Sequence, residues 1–174
     1  MSTISRQIEI NGKKFAYWTL GHEAAEPQII WAHGWGQDHH AFEQLAGSWA
    51  ANAFNILIDF PGFGSSPHPN AEWGTADYAD ACAGFLESMP NGRRIWVGHS
   101  FGCRVGIQLA ARHAEVIDAL FFIAAAGLPR RRSGLSQIRV KSKIALYKSL
   151  RALPFVNKDR LLERFGSADY KAAG

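Results

Sequence analysis

Cysteine is scarce in this chain of 174 residues: Cys82 and Cys103 are the only two. That is too few for a disulfide framework, and with no C-x-x-C a cysteine-built zinc site is not expected. Long apolar runs are missing as well. The longest, Ala119 to Leu128, falls far short of the ~20 residues that span a bilayer, so no transmembrane segment is expected. The opening residues, Met1 to Gln7, lack the apolar centre of a secretory signal, which leads us to expect a soluble, cytoplasmic protein. Histidine stops early, with seven in the chain and none after His113. What remains is ordinary globular composition, 47% hydrophobic and 20% charged, which argues against disorder. The length suits one domain by the usual prior of roughly 150 residues.

Charge changes sign along the chain. Residues 1–128 carry 7 Lys/Arg against 12 Asp/Glu, whereas residues 129–174 carry 12 against 3. Such a switch marks a compositional boundary near Leu128-Pro129, just before Arg130-Arg131-Arg132. The basic stretch reads either as a solvated face or as a surface that attracts an acidic partner, such as an anionic substrate, a carrier protein or a membrane surface. Nucleic acid is not expected as a partner, because no DNA- or RNA-binding motif accompanies the charge.

Two apolar stretches, Arg6 to Ile10 and Lys14 to Leu20, straddle Asn11-Gly12 and predict a β-hairpin. Ile29 to Ala32, Ile56 to Ile58, Ile95 to Val97 and Ala119 to Ala124 are continuous rather than alternating. Runs of that kind fit parallel strands buried on both faces. Helix-sized segments separate them: His40 to Ala51, Thr75 to Met89, with Thr75 as a fair N-cap, and Phe101 to His113. The predicted fold class is therefore α/β, a doubly wound, mostly parallel sheet with an N-terminal hairpin. From Pro129 onward the periodicity is helical, with Leu135, Ile138, Ile144, Leu146, Leu150 and Leu153 on a broad stripe that ends at Pro154. The expected division is a core over residues 1–128 and a helical segment over residues 129–174.

Three loops carry the chemistry. Gly98-His99-Ser100-Phe101-Gly102 matches G-x-S-x-G between a predicted strand and a predicted helix, the context of a nucleophile elbow. Glycines on both sides let strand and helix approach closely, and Ser100 is held at a helix N-terminus that favours developing negative charge. His33-Gly34-Trp35-Gly36 follows the strand ending at Ala32. Its backbone can aim the Trp35 N–H at an oxyanion, with the Phe101 N–H as second donor. His33 reads either as a catalytic base or as a ring that ties its own loop, and its place before the nucleophile favours the second. Asp59-Phe60-Pro61-Gly62-Phe63-Gly64-Ser65-Ser66 makes a tight loop at the same sheet edge, with Asp59 expected to hydrogen-bond that loop. His99 is expected to pack beside the elbow, and His39 and His40 to lie near the mouth of the site.

Together H-G-x-G, D-x-P-G-x-G-x-S and G-H-S-x-G, in that order, resemble the α/β-hydrolase family over about residues 8–128. The resemblance is to its serine-nucleophile, esterase-like branch, which includes pimeloyl-carrier-protein methyl esterases, carbon–carbon bond hydrolases and cofactor-free haloperoxidases. Haloalkane dehalogenases and epoxide hydrolases place an aspartate where this chain has Ser100. The resemblance implies a small-molecule ester or acyl substrate, no cofactor, and a helical cap that begins at the basic stretch.

That family runs its triad as serine, acid, histidine along the chain. Here no histidine follows His113, and the sixth predicted strand ends in Ala124-Ala125-Ala126-Gly127 without an acid. The expectation is a C-terminally truncated hydrolase with a nucleophile and two oxyanion donors but neither acid nor base. The other reading is a truncated, non-catalytic paralogue that binds a ligand or partner or has no function of its own. The last strand is expected to form an apolar sheet edge, prone to association.

Overall fold

A computed structural model describes residues 3–10 and 12–125, all within one unit, Met1–Gly127. The helical segment expected over residues 129–174, with its basic stretch, lies outside the described residues.

Strand β1 (Ile4–Ile10) pairs antiparallel with β2 (Lys13–Leu20), from Ile4 opposite Thr19 to Ile10 opposite Lys13. Gly12 makes the turn at φ +73°, a left-handed conformation that suits glycine. The predicted hairpin thus forms in the predicted place. Next come β3 (Gln28–Ala32), helix α1 (His40–Trp49), β4 (Phe54–Asp59), α2 (Thr75–Glu87), β5 (Arg94–His99), α3 (Phe101–Arg112), a short 3-10 helix (Ala114–Val116) and β6 (Ala119–Ile123). The six strands lie in the order β1-β2-β4-β3-β5-β6. β2 runs antiparallel to β4, while β3, β4, β5 and β6 are mutually parallel.

Every residue of β3 and β4 is buried, which is why their sequences are apolar without alternation. Successive side chains point to opposite faces. Ile30, Ile56, Ile58 and Trp96 therefore pack in a cluster with Phe85 and Leu86 of α2 and Val105 and Leu109 of α3. Ile29, Trp31, Leu57 and Val97 pack in a second cluster with Phe42 and Ala46 of α1. Asn55 is buried in β4, and its Oδ1 accepts the Trp31 indole N–H at 3.0 Å.

Two expectations are corrected. The N-cap of α2 is Gly74, not Thr75, which is the first helical residue. Asp77, three residues past the cap, accepts the Gly74 N–H at 2.8 Å, the half of a capping box that needs no cap side chain, and the Asp77 N–H donates to the Gly74 carbonyl at 3.1 Å. Strand β6 is also not buried on both faces. Phe121 is 61% exposed and Ile123 38%. Among the described residues, β5 is its sole strand partner. An apolar edge of that kind templates pairing with other chains. We expect the 174-residue chain to associate in light scattering and Phe121→Lys to reduce the associated fraction; a monodisperse wild-type monomer would contradict this.

Candidate active site

The C-terminal ends of the parallel strands gather the three loops singled out above. Between β5 and α3 stands Ser100, at φ +47° and ψ −97°. A non-glycine residue at positive φ is strained and persists only where its surroundings over-determine it. Here the Ser100 N–H donates to the Ile123 carbonyl at 3.1 Å, and the Gly102 N–H donates to the His33 carbonyl at 3.1 Å. The flanking glycines are required by space. A Cβ on Gly98 would stand 2.6 Å from the Gly102 carbonyl, and one on Gly102 would strike the Ala32 and His33 carbonyls. The elbow is therefore pressed onto the loop after β3.

That loop is held from two sides. His33 is fully buried; its Nδ1 bonds the Gly34 carbonyl at 2.7 Å, and its Nε2 accepts the Phe60 N–H at 3.1 Å. Donation by Phe60 assigns the proton to Nδ1 and makes the ring a neutral strut between the loops after β3 and β4. The Gln37 Oε1 accepts the Gly34 N–H at 2.9 Å and bonds His99 Nδ1 at the same distance. Gln37 was not foreseen, and no sequence motif marks it. The N–H groups of Trp35 and Phe101 have no hydrogen-bond partner among the described residues. Their rings meet edge to face with centroids 5.1 Å apart, and Phe63 lies against Trp35 at 4.9 Å.

Asp59 closes the third loop from inside. Its Oδ1 accepts the His39 N–H at 2.7 Å and lies 3.0 Å from His39 Nδ1, while Oδ2 accepts the Ser65 N–H at 2.7 Å. Ser66 links this loop to the hairpin, donating to the Asp59 carbonyl at 2.7 Å and accepting the Ala16 N–H at 2.8 Å. An open pocket of about 430 Å³ lies beside Trp35, lined also by Phe63, His68, Trp73 and Tyr78.

None of the seven histidines is hydrogen-bonded to Ser100, and the Ser100 hydroxyl has no hydrogen-bond partner among the described residues. His33, His39 and His99 are engaged as above. His40 Nδ1 pairs with Glu43, His113 Nε2 with Asp80, and His22 Nδ1 accepts the Ala24 N–H. His68 lines the pocket.

Burial holds the His33 imidazole below its ordinary value of 6.5, against the opposing pull of its Gly34 hydrogen bond. Below pH 6.5 the unfolded chain takes up a proton there that the folded chain refuses. Stability therefore falls as pH drops below 6.5, and this contribution is level above it. His40 has the opposite slope, since its Glu43 hydrogen bond raises it, but that pair is exposed and weak. Asp80, lowered to about 2 chiefly by its Arg112 hydrogen bond and then by His113, loses its contribution only in a separate, more acid window. We expect the urea midpoint to drop between about pH 7 and pH 5; a flat profile there would remove His33 as a neutral strut.

A family model described as the alpha/beta hydrolase family matches residues 29–173. The chain belongs to the alpha/beta hydrolase family. Among curated relatives, it is 29% identical over 108 residues to a pimeloyl-[acyl-carrier protein] methyl ester esterase of Vibrio atlanticus (strain LGP32), covering 62% of this chain and 39% of the relative. It is 28% identical over 120 residues to a 2-(acetamidomethylene)succinate hydrolase of Mesorhizobium japonicum, covering 69% and 42%. The chain thus spans about two fifths of these relatives' length. Among solved structures, a membrane phospholipase A described as a bacterial virulence factor superposes with TM-score 0.70 at 25% identity, covering 98% of this chain and 60% of that one. An E-2-(acetamidomethylene)succinate hydrolase superposes with TM-score 0.67 at 21% identity, covering 99% and 64%, and speaks for the fold. No helix among the described residues is long and apolar enough to cross a membrane.

Proposed function

We propose that this alpha/beta hydrolase is built to act on a carboxylic ester or related acyl bond, with Ser100 as nucleophile and the N–H groups of Trp35 and Phe101 as oxyanion donors. The observation that carries this reading is the strained Ser100 backbone at φ +47°, clamped between β5 and α3 by two glycines that admit no side chain. The hydroxyl would attack the acyl carbon, and the carbonyl oxygen, as it gains charge, would fall to the two N–H groups at the start of α3 and after β3. The esterase and hydrolase relatives support this class of substrate. One of them acts on a carrier-protein ester by its name, which accords with an anionic or carrier-bound acyl group and a cytoplasmic setting.

A serine hydroxyl is a weak nucleophile until a base takes its proton. No histidine among the described residues is hydrogen-bonded to Ser100, and a second reading is that these loops bind an acyl ligand without turning it over. A fluorophosphonate probe decides between them. Weak turnover would not discriminate, since an oxyanion hole and binding alone retain ~10³–10⁴-fold over water in triad-deleted enzymes. The first reading expects labelling that is faster than for free serine, maps to Ser100 by peptide mass spectrometry and vanishes in Ser100→Ala. Labelling no faster than free serine would leave only the binding reading.

A further inference from the structure

Apart from the proposed nucleophile and oxyanion donors, a second cluster lies at the start of α1. One donor atom from each of Asp38, His39 and His40 stands within 4.8 Å of the other two. Both imidazoles are already oriented by carboxylates outside that trio. His39 Nδ1 is 3.0 Å from the buried Asp59, and His40 Nδ1 is 3.1 Å from Glu43. With Nδ1 donating to a carboxylate, each ring keeps its Nε2 lone pair for a ligand, the arrangement typical of metal-binding histidines. Neither Nε2 has a hydrogen-bond partner among the described residues. Trp18 stacks on His39 with the rings 7° from parallel, and His40 lies over the other side with centroids 4.0 Å apart. The buried ring is thus immobilised, while His40 is exposed and Asp38 half-buried, free to adjust.

We propose that Asp38, His39 and His40 form a binding site for one zinc-class divalent cation. Two imidazoles and a carboxylate suit Zn²⁺ better than Mg²⁺ or Ca²⁺, which prefer all-oxygen sets. In a tetrahedral site with bonds of ~2.0–2.1 Å, ligand atoms stand about 3.3 Å apart. Ligand atoms that stand within 4.8 Å of one another therefore need to close by up to about 1.5 Å, which the exposed His40 and half-buried Asp38 can supply. Water would complete the coordination. Gln37 precedes this trio and ties Gly34 to His99, so a bound ion would anchor the end of the loop that carries Trp35.

The test is calorimetric titration of the full chain with Zn²⁺ alone, beside Asp38→Asn, His40→Gln, Glu43→Gln and His113→Gln. Asn at 38 keeps an acceptor for the His40 N–H, and position 40 is exposed, so both ligand variants should retain the wild-type near-UV circular dichroism. The expected result is one site per chain, weakened at least ~10-fold in each ligand variant, and weakened by ~10-fold in Glu43→Gln through loss of the orienting carboxylate. His113→Gln, which alters the separate Asp80–His113 cluster, should leave it unchanged. Zn²⁺ should raise the melting temperature of wild type and not of His40→Gln. Absence of saturable binding, or binding that survives His40→Gln and falls in His113→Gln, would overturn the assignment.

Discussion

Asp59→Ala is expected to cost about 3–5 kcal/mol, the range seen when one partner of a buried charged network is removed. The carboxylate is fully buried and accepts the His39 and Ser65 N–H groups, each at 2.7 Å, besides facing the His39 ring. Truncation removes the acceptor of two backbone donors, and that of the His39 N–H is buried. The loss is a large share of the ~5–15 kcal/mol that holds a domain together. Asp59→Asn keeps one oxygen but turns an N–H₂ toward a donor, so it should fall between Ala and wild type. Urea unfolding monitored by tryptophan fluorescence reads both, and an Asp59→Ala midpoint within error of wild type would show that the loop stands without its carboxylate.

Gly102→Ala is the second large effect. The added Cβ meets the Ala32 carbonyl and lies 3.0 Å from that of His33, and both belong to backbone at the end of β3 rather than to a flexible side chain. Overpacking typically costs ~1–3 kcal/mol and more when backbone must move. Relief by shifting α3 would break the Gly102 N–H to His33 carbonyl bond and carry Phe101 away from Trp35. The variant should therefore lose both stability and Ser100 labelling. Gly47→Ala is the control. Its Cβ would meet nothing within 4 Å on an exposed turn of α1, so the better helix former should add ~0.5–1 kcal/mol. A Gly102→Ala protein that melts and labels like wild type would contradict the packed elbow.

The fold was legible because its signals are local. Continuous apolar runs at Ile29, Ile56 and Ile95 marked interior strands, Asn11-Gly12 marked the hairpin, and glycine pairs marked the turns at 98–102 and 62–64. The cap of α2 falls one residue before the expected one, since Thr75 looks like a cap and Gly74 does not; Asp77 accepts the Gly74 N–H. The candidate site was legible as three loops, but their interlocking was not. Gln37 bridges residues 34 and 99, and Ser66 bridges 16 and 59; such contacts depend on where strands lie, which periodicity does not encode. Asp38-His39-His40 carried no known ligand spacing, and only the carboxylates brought in by β4 and the first turn of α1 gave those rings an orientation.

By itself, the order of residues determined the α/β class, the strand and helix positions, the sharp turn at Ser100 and the absence of a histidine after position 113. Those follow from side-chain period, backbone permissiveness at glycine and simple count. Tertiary structure alone decided that His33 is a neutral strut between two loops, that His39 belongs to Asp59, and that no histidine of the chain pairs with Ser100. The physical reason is that a histidine's role is set by which donors and acceptors surround its two nitrogens, and for His33, His39, His99 and His113 one of these comes from a residue 20 to 62 positions away.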